Sequence, residues 1–565
     1  MSNRSAASKS LVLAAMIFAV AMTFIDQTIV AIAAPQVQKE LGLSSTGLQW
    51  AVNAYLLTLA ALFPLGGRLS DILGHCRMVV LGIVVFAVAS GLCGLTPKGS
   101  AAEAWIVTAR ALQGAGGAIM YPAALAIVVS TFSLGERGRA LALFFGVAGG
   151  LTAVGPVLGG YLTQWTWRAI FWVNIPVALI ALLLIAISRP DTEYRPARLD
   201  YRGLAFVTAG IGLSVFGLQQ ANIWGWRSPA TACAVAAGVA LLVAFWFVEL
   251  RTESPLVSVR IFGNRPFLVE NLVLFVSMLV FVPVFFFASE YAQISLGDSA
   301  SKAGIFLLYF FIGFVVAAQV GGSLFDKGGA KRPVVQGCAL SAVGFFLWAN
   351  HVTDLKFSTQ QWYIILAGAG MGMMLGPAST DAVNRVSRRS YGEATGITQT
   401  VRNFAASLGL AVLGTIQVHH WESRTVTSLT AQGLPHDQAT KTAAHIVQGS
   451  HASGSGSAAS IPRFIQLDFA YATRTVLYVM AALMVAAAVI ALVGLRDGRQ
   501  TDADERDDGD EPWLDQPRVG ALNRAAPARL APGVTQHGST AAVALVNRKH
   551  EGSLLPWFRR PRRAR

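Results

Sequence analysis

Apolar residues come in long blocks along this chain, and polar residues are mostly confined to the short gaps between them. The blocks cover residues 11–34, 48–68, 78–96, 103–129, 139–161, 168–188, 202–220, 230–249, 266–289, 303–323, 333–350, 361–382, 394–417 and 470–495. Each is close to or above the ~20 residues that an α-helix needs to cross a bilayer. The pattern therefore predicts fourteen membrane-spanning helices. Residues 1–10 are a short polar lead. Residues 31–33 imitate a signal-cleavage site, but the run from Leu11 is too long for a signal core and carries Asp26, so it reads as a retained first helix. Residues 418–468, rich in Ser, Thr, Ala, Gln and His, read as an external loop that admits some helix, and residues 496–565 as a disordered tail.

One block is unlike the others. Residues 140–161 carry no charge but hold Gly146, Gly149, Gly150, Gly155, Gly159 and Gly160. At roughly 100° per residue, Gly146, Gly149, Gly150, Ala153 and Gly160 share one face, and Ala148, Gly155 and Gly159 the opposite one. A helix smooth on both sides suits close packing between two neighbours. Pro156 removes the hydrogen bond to the Thr152 carbonyl and allows a bend there.

Composition agrees with the pattern. Of 565 residues 54% are hydrophobic and only 13% charged, against about a quarter charged in soluble domains. The net charge of +14 sits in short loops and the tail, which argues for membrane topology rather than nucleic-acid binding. With the N-terminus inside, the inner loops hold seventeen Lys and Arg against six in the short outer ones, which predicts both termini in the cytoplasm. The four cysteines match neither a disulfide framework nor a metal site.

An internal repeat organises the spans. Gly67, Asp71, Gly74 and Arg77 recur at the same offsets as Gly322, Asp326, Gly329 and Arg332, between spans two and three and between spans ten and eleven. That register predicts a six-helix half over residues 11–188, two inserted helices over 200–250, and a second half over 266–495.

Ionisable residues inside spans are functional candidates because they are costly there. Asp26 lies about 22 Å from the inner start of its helix, and Arg110 about 12 Å from the outer end of an oppositely running one. The two are thus at comparable depth. Either they form a static pair that fixes helix register, or Asp26 binds a cationic substrate. Asp26, Asn53, Tyr55, Gln113, Met120 and Tyr121 are candidate cavity lining. In the second half Arg402 is an embedded cation with a gating or packing role, and Asp381 is one partner open to it. Glu249, Glu270 and Glu290 read as interfacial.

The string Gly146, Gly155, Pro156, Gly159, Gly160, followed by Trp165, Trp167, Arg168, Phe171, Asn174 and Pro176, resembles the fifth-helix antiporter motif of the major facilitator superfamily, in particular of its fourteen-helix drug:proton antiporters; Gly150 falls within it. Asp26, Thr28 and Pro35 match the family's first-helix pattern, Arg110, Gln113 and Gly114 its fourth-helix pattern, and Gly392, Gly396, Thr400, Arg402 and Gly409 its thirteenth. Residues 67–77 resemble the cytoplasmic gate motif, with Ile72, His75 and Cys76 in place of usual basic residues and Arg137 or Arg139 as partner for Asp71. The resemblance implies an all-α major facilitator fold and a proton-coupling role for Asp26 and Arg110. It implies a proton-coupled antiporter that exports lipophilic, cationic drugs or toxic compounds across the bacterial inner membrane, with the proton gradient in place of any cofactor. The alternatives are an exporter of one metabolite, siderophore or antibiotic, a metabolite symporter or facilitator, and a non-transporting sensor or scaffold. No Ser/His/Asp arrangement, HExxH pattern or phosphate loop points to an enzyme. The expected partners are the substrate, the proton and membrane lipid; nucleic acid is not among them, and a periplasmic adaptor is left open.

Overall fold

A computed structural model describes residues 2–132, 134–190, 200–252, 255–257, 259–386, 391–449, 462–496 and 498. The tail and residues 450–461 of the expected loop lie outside these, as do Arg195 and Arg198 and the side chains of Arg137 and Arg139. The surroundings of Gly146, Gly150 and Gly392 are likewise outside the description.

Every apolar block is a helix. The first half comprises α1 (Ser2–Leu41), α2 (Ser45–Leu73), α3 (His75–Gly94), α4 (Ala102–Thr131), α5 (Leu134–Trp165), and a sixth span made of α6 (Ala169–Trp172) and α7 (Asn174–Ser188). The inserted pair is α8 (Tyr201–Trp224) and α9 (Pro229–Arg251). The second half comprises α10 (Arg265–Ile294), α11 (Ala300–Gly328), α12 (Lys331–His351), α13 (Phe357–Asn384), α14 (Tyr391–Ala431) and α16 (Arg463–Gly494), with α15 (His436–Gly449) before the last. Among the described residues thirteen helices are long and apolar enough to cross a membrane. With them stands α5, of 32 residues, at the place of the remaining expected span.

Short polar side chains start these helices by satisfying free backbone N–H groups. Ser44 accepts from the Gly47 amide, Asp200 from those of Arg202 and Gly203, and Asn264 from that of Phe267. The sequence repeat is a structural one. Gly74 (φ 96°) joins α2 to α3, and Gly329 (φ 81°) joins α11 to α12. Both turns use a backbone conformation that side chains with a Cβ disfavour.

The expected external loop is only partly a loop. α14 continues to Ala431, and α15 folds back so that Leu429, Ala439 and Ala443 form a small buried cluster. Apolar residues spaced four apart in a polar segment suffice to hold two helices together.

The glycine-rich α5 is packed on two sides, as expected for its described glycines. Gly155 and Gly159 lie against the backbone of Ile25 and Ile29 in α1. On the other side a Cβ on Gly160 would stand 3.0 Å from Ser301 Cα, and one on Gly304 2.6 Å from the Pro156 carbonyl oxygen. α11 belongs to the second half, so this glycine contact is also where the two halves touch. α8 packs on both α2 and α14, so the inserted pair rests on both halves.

Candidate functional site

Asp26 and Arg110 meet. The Arg110 Nη1 donates to Asp26 Oδ2 at 2.5 Å and to Gln113 Oε1 at 2.7 Å, and its Nε donates to the Ala51 carbonyl of α2 at 3.0 Å. Gln113 Nε2 donates to Asp26 Oδ1 at 2.9 Å and to Ser90 Oγ of α3 at 3.3 Å. Ser90 in turn donates to the Phe171 carbonyl at 2.8 Å and accepts from Asn174 Nδ2 at 3.0 Å. The guanidinium carbon lies 4.5 Å from the centre of the Tyr55 ring. Both charged side chains are buried, at 0% exposure for Asp26 and 1% for Arg110. Each carboxylate oxygen of Asp26 thus has a donor, which is what makes an ion tolerable at this depth.

Next to this network on the same helix, Gln27 turns the other way. Its Nε2 reaches Asn403 Oδ1 of α14 at 3.5 Å. Further bonds join the halves: Gln399 Nε2 to Tyr121 Oη at 3.0 Å, Ser407 Oγ to Asn53 Oδ1 at 2.6 Å, and Gln293 Nε2 to the Ile32 carbonyl at 3.1 Å. Asn53 also donates to Gln219 Oε1 of α8 at 2.7 Å, so one side chain ties the first half, the insert and the second half together. Replacing Asn53 by alanine leaves Gln219 and Ser407 without that partner. It should cost about 1–3 kcal/mol, read as a lower unfolding temperature in detergent; an unchanged temperature would remove the tie from the account.

The Trp-rich string after α5 seals one end of the first half. Trp167 Nε1 donates to Glu40 Oε2 at 2.8 Å, and Arg168 bonds Glu40 Oε1 at 3.1 Å and the carbonyls of Gly94 and Thr96 at 2.8 and 3.0 Å.

The sequence model described as Major Facilitator Superfamily matches residues 16–207 and 201–410. The chain belongs to the major facilitator superfamily. It is a multi-pass membrane transporter and not an enzyme. It is 32% identical to the tetracenomycin C resistance and export protein of Streptomyces glaucescens, over 70% of this chain and 74% of that one. It is 34% identical to the cephamycin export protein CmcT of Amycolatopsis lactamdurans, over 74% of this chain and 86% of that one. The inward-facing, unoccupied crystal structure of a bacterial homologue of the human lysosomal transporter Spinster shares the fold, with a TM-score of 0.59 at 16% identity, over 86% of this chain and 97% of that one.

Against this facilitator frame several expected positions need correcting. Asp26, Tyr55, Gln113 and Met120 do not line a cavity between the halves in this structure. All four are fully buried, the three polar ones in the network inside the first half and Met120 against Gly82 of α3. An embedded carboxylate needs hydrogen-bond donors, and here Arg110 and Gln113 of its own half supply them. Asn53 and Tyr121 do lie where the halves meet. Asp381 pairs not with Arg402 but with Arg385, one turn away, at 3.1 Å; Arg402 lies near Tyr121. Glu249, Glu270 and Glu290 lie near helix ends but are covered by protein, at 3%, 0% and 2% exposure.

The residues that sequence reasoning missed are Ser90, which links Gln113 to Asn174, and the stripe Gln399, Asn403, Ser407 on α14. Their spacing of four places them on one helix face, which was a readable signal. Of the residues expected at the gate, Gly67, Asp71, Gly74 and Arg77 surround the α2–α3 turn, and Gly322, Asp326, Gly329 and Arg332 the α11–α12 turn. At the first turn Ser70 Oγ donates to the Gly67 carbonyl and contacts His75 Nδ1 at 3.2 Å, so His75 fills a turn role where the family motif has a base.

Proposed function

We propose that this transporter is a proton-coupled exporter of lipophilic, cationic small molecules in the bacterial inner membrane, with both termini cytoplasmic. The observation that carries the reading is the fully buried Asp26–Arg110–Gln113 network on the helix whose next residue, Gln27, touches the second half. A carboxylate takes up a proton only if water reaches it, and rocking of the halves is the motion that admits water. A protonated Asp26 loses its charge attraction to Arg110, α1 is released from α4, and Gln27 carries that shift to Asn403. Asp26 then acts on substrate through Gln27 and not by direct contact. The polar stripe of α14, with Tyr121 and Asn53 opposite, is the surface a substrate meets as the halves part.

The names of the relatives support export as the direction. They also favour a narrower second reading, in which the substrate is one antibiotic-like metabolite.

Proteoliposomes with an imposed pH gradient test the first reading. A fluorescent lipophilic cation should drive proton movement with the wild-type protein. Asp26→Asn, which keeps the shape but not the charge, should reduce that movement at least tenfold. Gradient-dependent exchange at wild-type rate in Asp26→Asn would end the assignment.

A further inference from the structure

The face of the first half opposite the N-terminus carries a cavity of about 480 Å³. It is lined by the end of α1 with Lys39 and Glu40, by Lys98 between α3 and α4, and by residues 163–167 at the end of α5. Lys39 stands roughly 20 Å past Asp26 along α1, so the cavity is distinct from the buried network. Two of its lining side chains, Thr163 and Trp167, are each only 1% exposed. The cavity is therefore cut into the fold and not laid on its surface. Glu40 is fully engaged: its Oε2 accepts from Trp167, and its Oε1 accepts from Arg168 and lies 3.5 Å from Lys98 Nζ. Arg168 offsets that carboxylate, and Lys39 and Lys98 leave the lining net positive.

Depth and direction say what meets this cavity. The apolar blocks of α1 and α5 end at residues 34 and 161. Lys39 and Trp165 thus stand roughly 6–8 Å beyond the apolar stretch. The headgroup layer on each side of a bilayer core is roughly 5–8 Å thick, so the cavity opens at headgroup depth. Along α5, Val154, Val157, Tyr161 and Trp165 are 43%, 45%, 72% and 80% exposed. Spaced three or four apart, they form one outward stripe that ends at the cavity. Its valines suit an acyl chain, and Tyr and Trp at its top are the side chains favoured where hydrocarbon meets headgroups.

We infer that this cavity binds the phosphate headgroup of an anionic phospholipid, with an acyl chain lying along the α5 stripe. The phosphate faces the ammonium groups of Lys39 and Lys98, which serve as point charges, and the chain passes Trp165 towards Val154. A bound headgroup bridges α1, the α3–α4 connection and the end of α5. Soluble phosphate shares the headgroup chemistry, but only the lipid uses the stripe. The inference stands apart from the proposed export mechanism, since it needs neither Asp26 nor transport.

Native mass spectrometry of the full chain in detergent tests it. The protein is titrated with dioleoylphosphatidylglycerol and, separately, with dioleoylphosphatidylcholine, which has the same chains but no net charge. One anionic lipid should be held about 25-fold more tightly, at about fivefold for each lysine near the headgroups. Lys39→Gln/Lys98→Gln should bring the ratio close to one. Lys356→Gln/Lys441→Gln, which removes two lysines elsewhere, should leave it unchanged, and Trp165→Ala should weaken both lipids alike. All five side chains are exposed, so each variant should keep the wild-type unfolding temperature. A preference that survives the loss of Lys39 and Lys98, or that falls equally in the control pair, overturns the inference. Displacement of the lipid by millimolar inorganic phosphate would make the ligand a soluble anion and overturn the lipid assignment.

Discussion

Arg110→Ala should be the most damaging single substitution in the first half: about 3–5 kcal/mol of stability lost, the range for removing one member of a buried ion pair, and no gradient-driven export. The cost follows from what the arginine leaves behind. Asp26 is fully buried and keeps only the Gln113 amide as a donor, the Ala51 carbonyl loses its partner, and the face of Tyr55 loses its cation. Lysine is a poor substitute, because a single ammonium cannot reach Asp26, Gln113 and Ala51 in the fixed geometry of a guanidinium. Asp26→Asn should cost less, since the asparagine keeps the shape and an amide oxygen that can accept from Arg110, although that cation loses its counter-charge. The informative comparison is therefore the double variant Asp26→Asn/Arg110→Ala. It should unfold at a higher temperature than Arg110→Ala, with a coupling of about 0.5–3 kcal/mol in a double-mutant cycle, yet remain inactive. Thermal unfolding in detergent and proton flux in proteoliposomes read the two effects separately. Full additivity of the single losses would mean that the pair contributes nothing as a pair.

The sequence carried depth well and direction poorly. Counting residues along α1 and α4 put Asp26 and Arg110 at matching depth, because rise per residue is fixed. It did not say which way Asp26 points. α1 is apolar on most sides, so no polar face fixes its rotation, and two neighbours about 100° apart, Asp26 and Gln27, face different halves. In this structure Asp26 accordingly lies inside its own half rather than between the halves. For Asp381, one of the partners the sequence leaves open to Arg402, the structure gives Arg385, four residues on and therefore on the same helix face. The spans, the repeat and the two smooth faces of α5 were legible because they rest on local periodicity. The bonds between halves rest on side chains hundreds of residues apart, such as Asn53 with Ser407, and only the four-residue stripe on α14 announced them.

Enlarging Gly304 to leucine should separate the halves without unfolding either. α5 and α11 approach backbone to backbone, with Gly304 against the Pro156 carbonyl and Gly160 against Ser301, so a side chain there has no room unless the helices part. Overpacking of this kind costs about 1–3 kcal/mol, and because the contact is between halves, that cost falls on the junction of the halves and not on either bundle. A difference of this size shifts a two-state population about 5- to 150-fold. Gly155→Leu makes a contrasting case: its neighbours are Thr28, Ile25 and Ile29 of α1, within the same half, so it should lower the unfolding temperature. Gly212→Leu, on α8 with nothing near its Cβ position, should do neither. A cysteine placed at Ile32, whose carbonyl Gln293 of the second half holds, reports the opening. In a background lacking the four native cysteines, its labelling by a water-soluble maleimide should speed up several-fold or more with Gly304→Leu and stay unchanged with Gly212→Leu, while export falls only in the former. Unchanged labelling with Gly304→Leu would mean that the glycine contact does not hold that end shut.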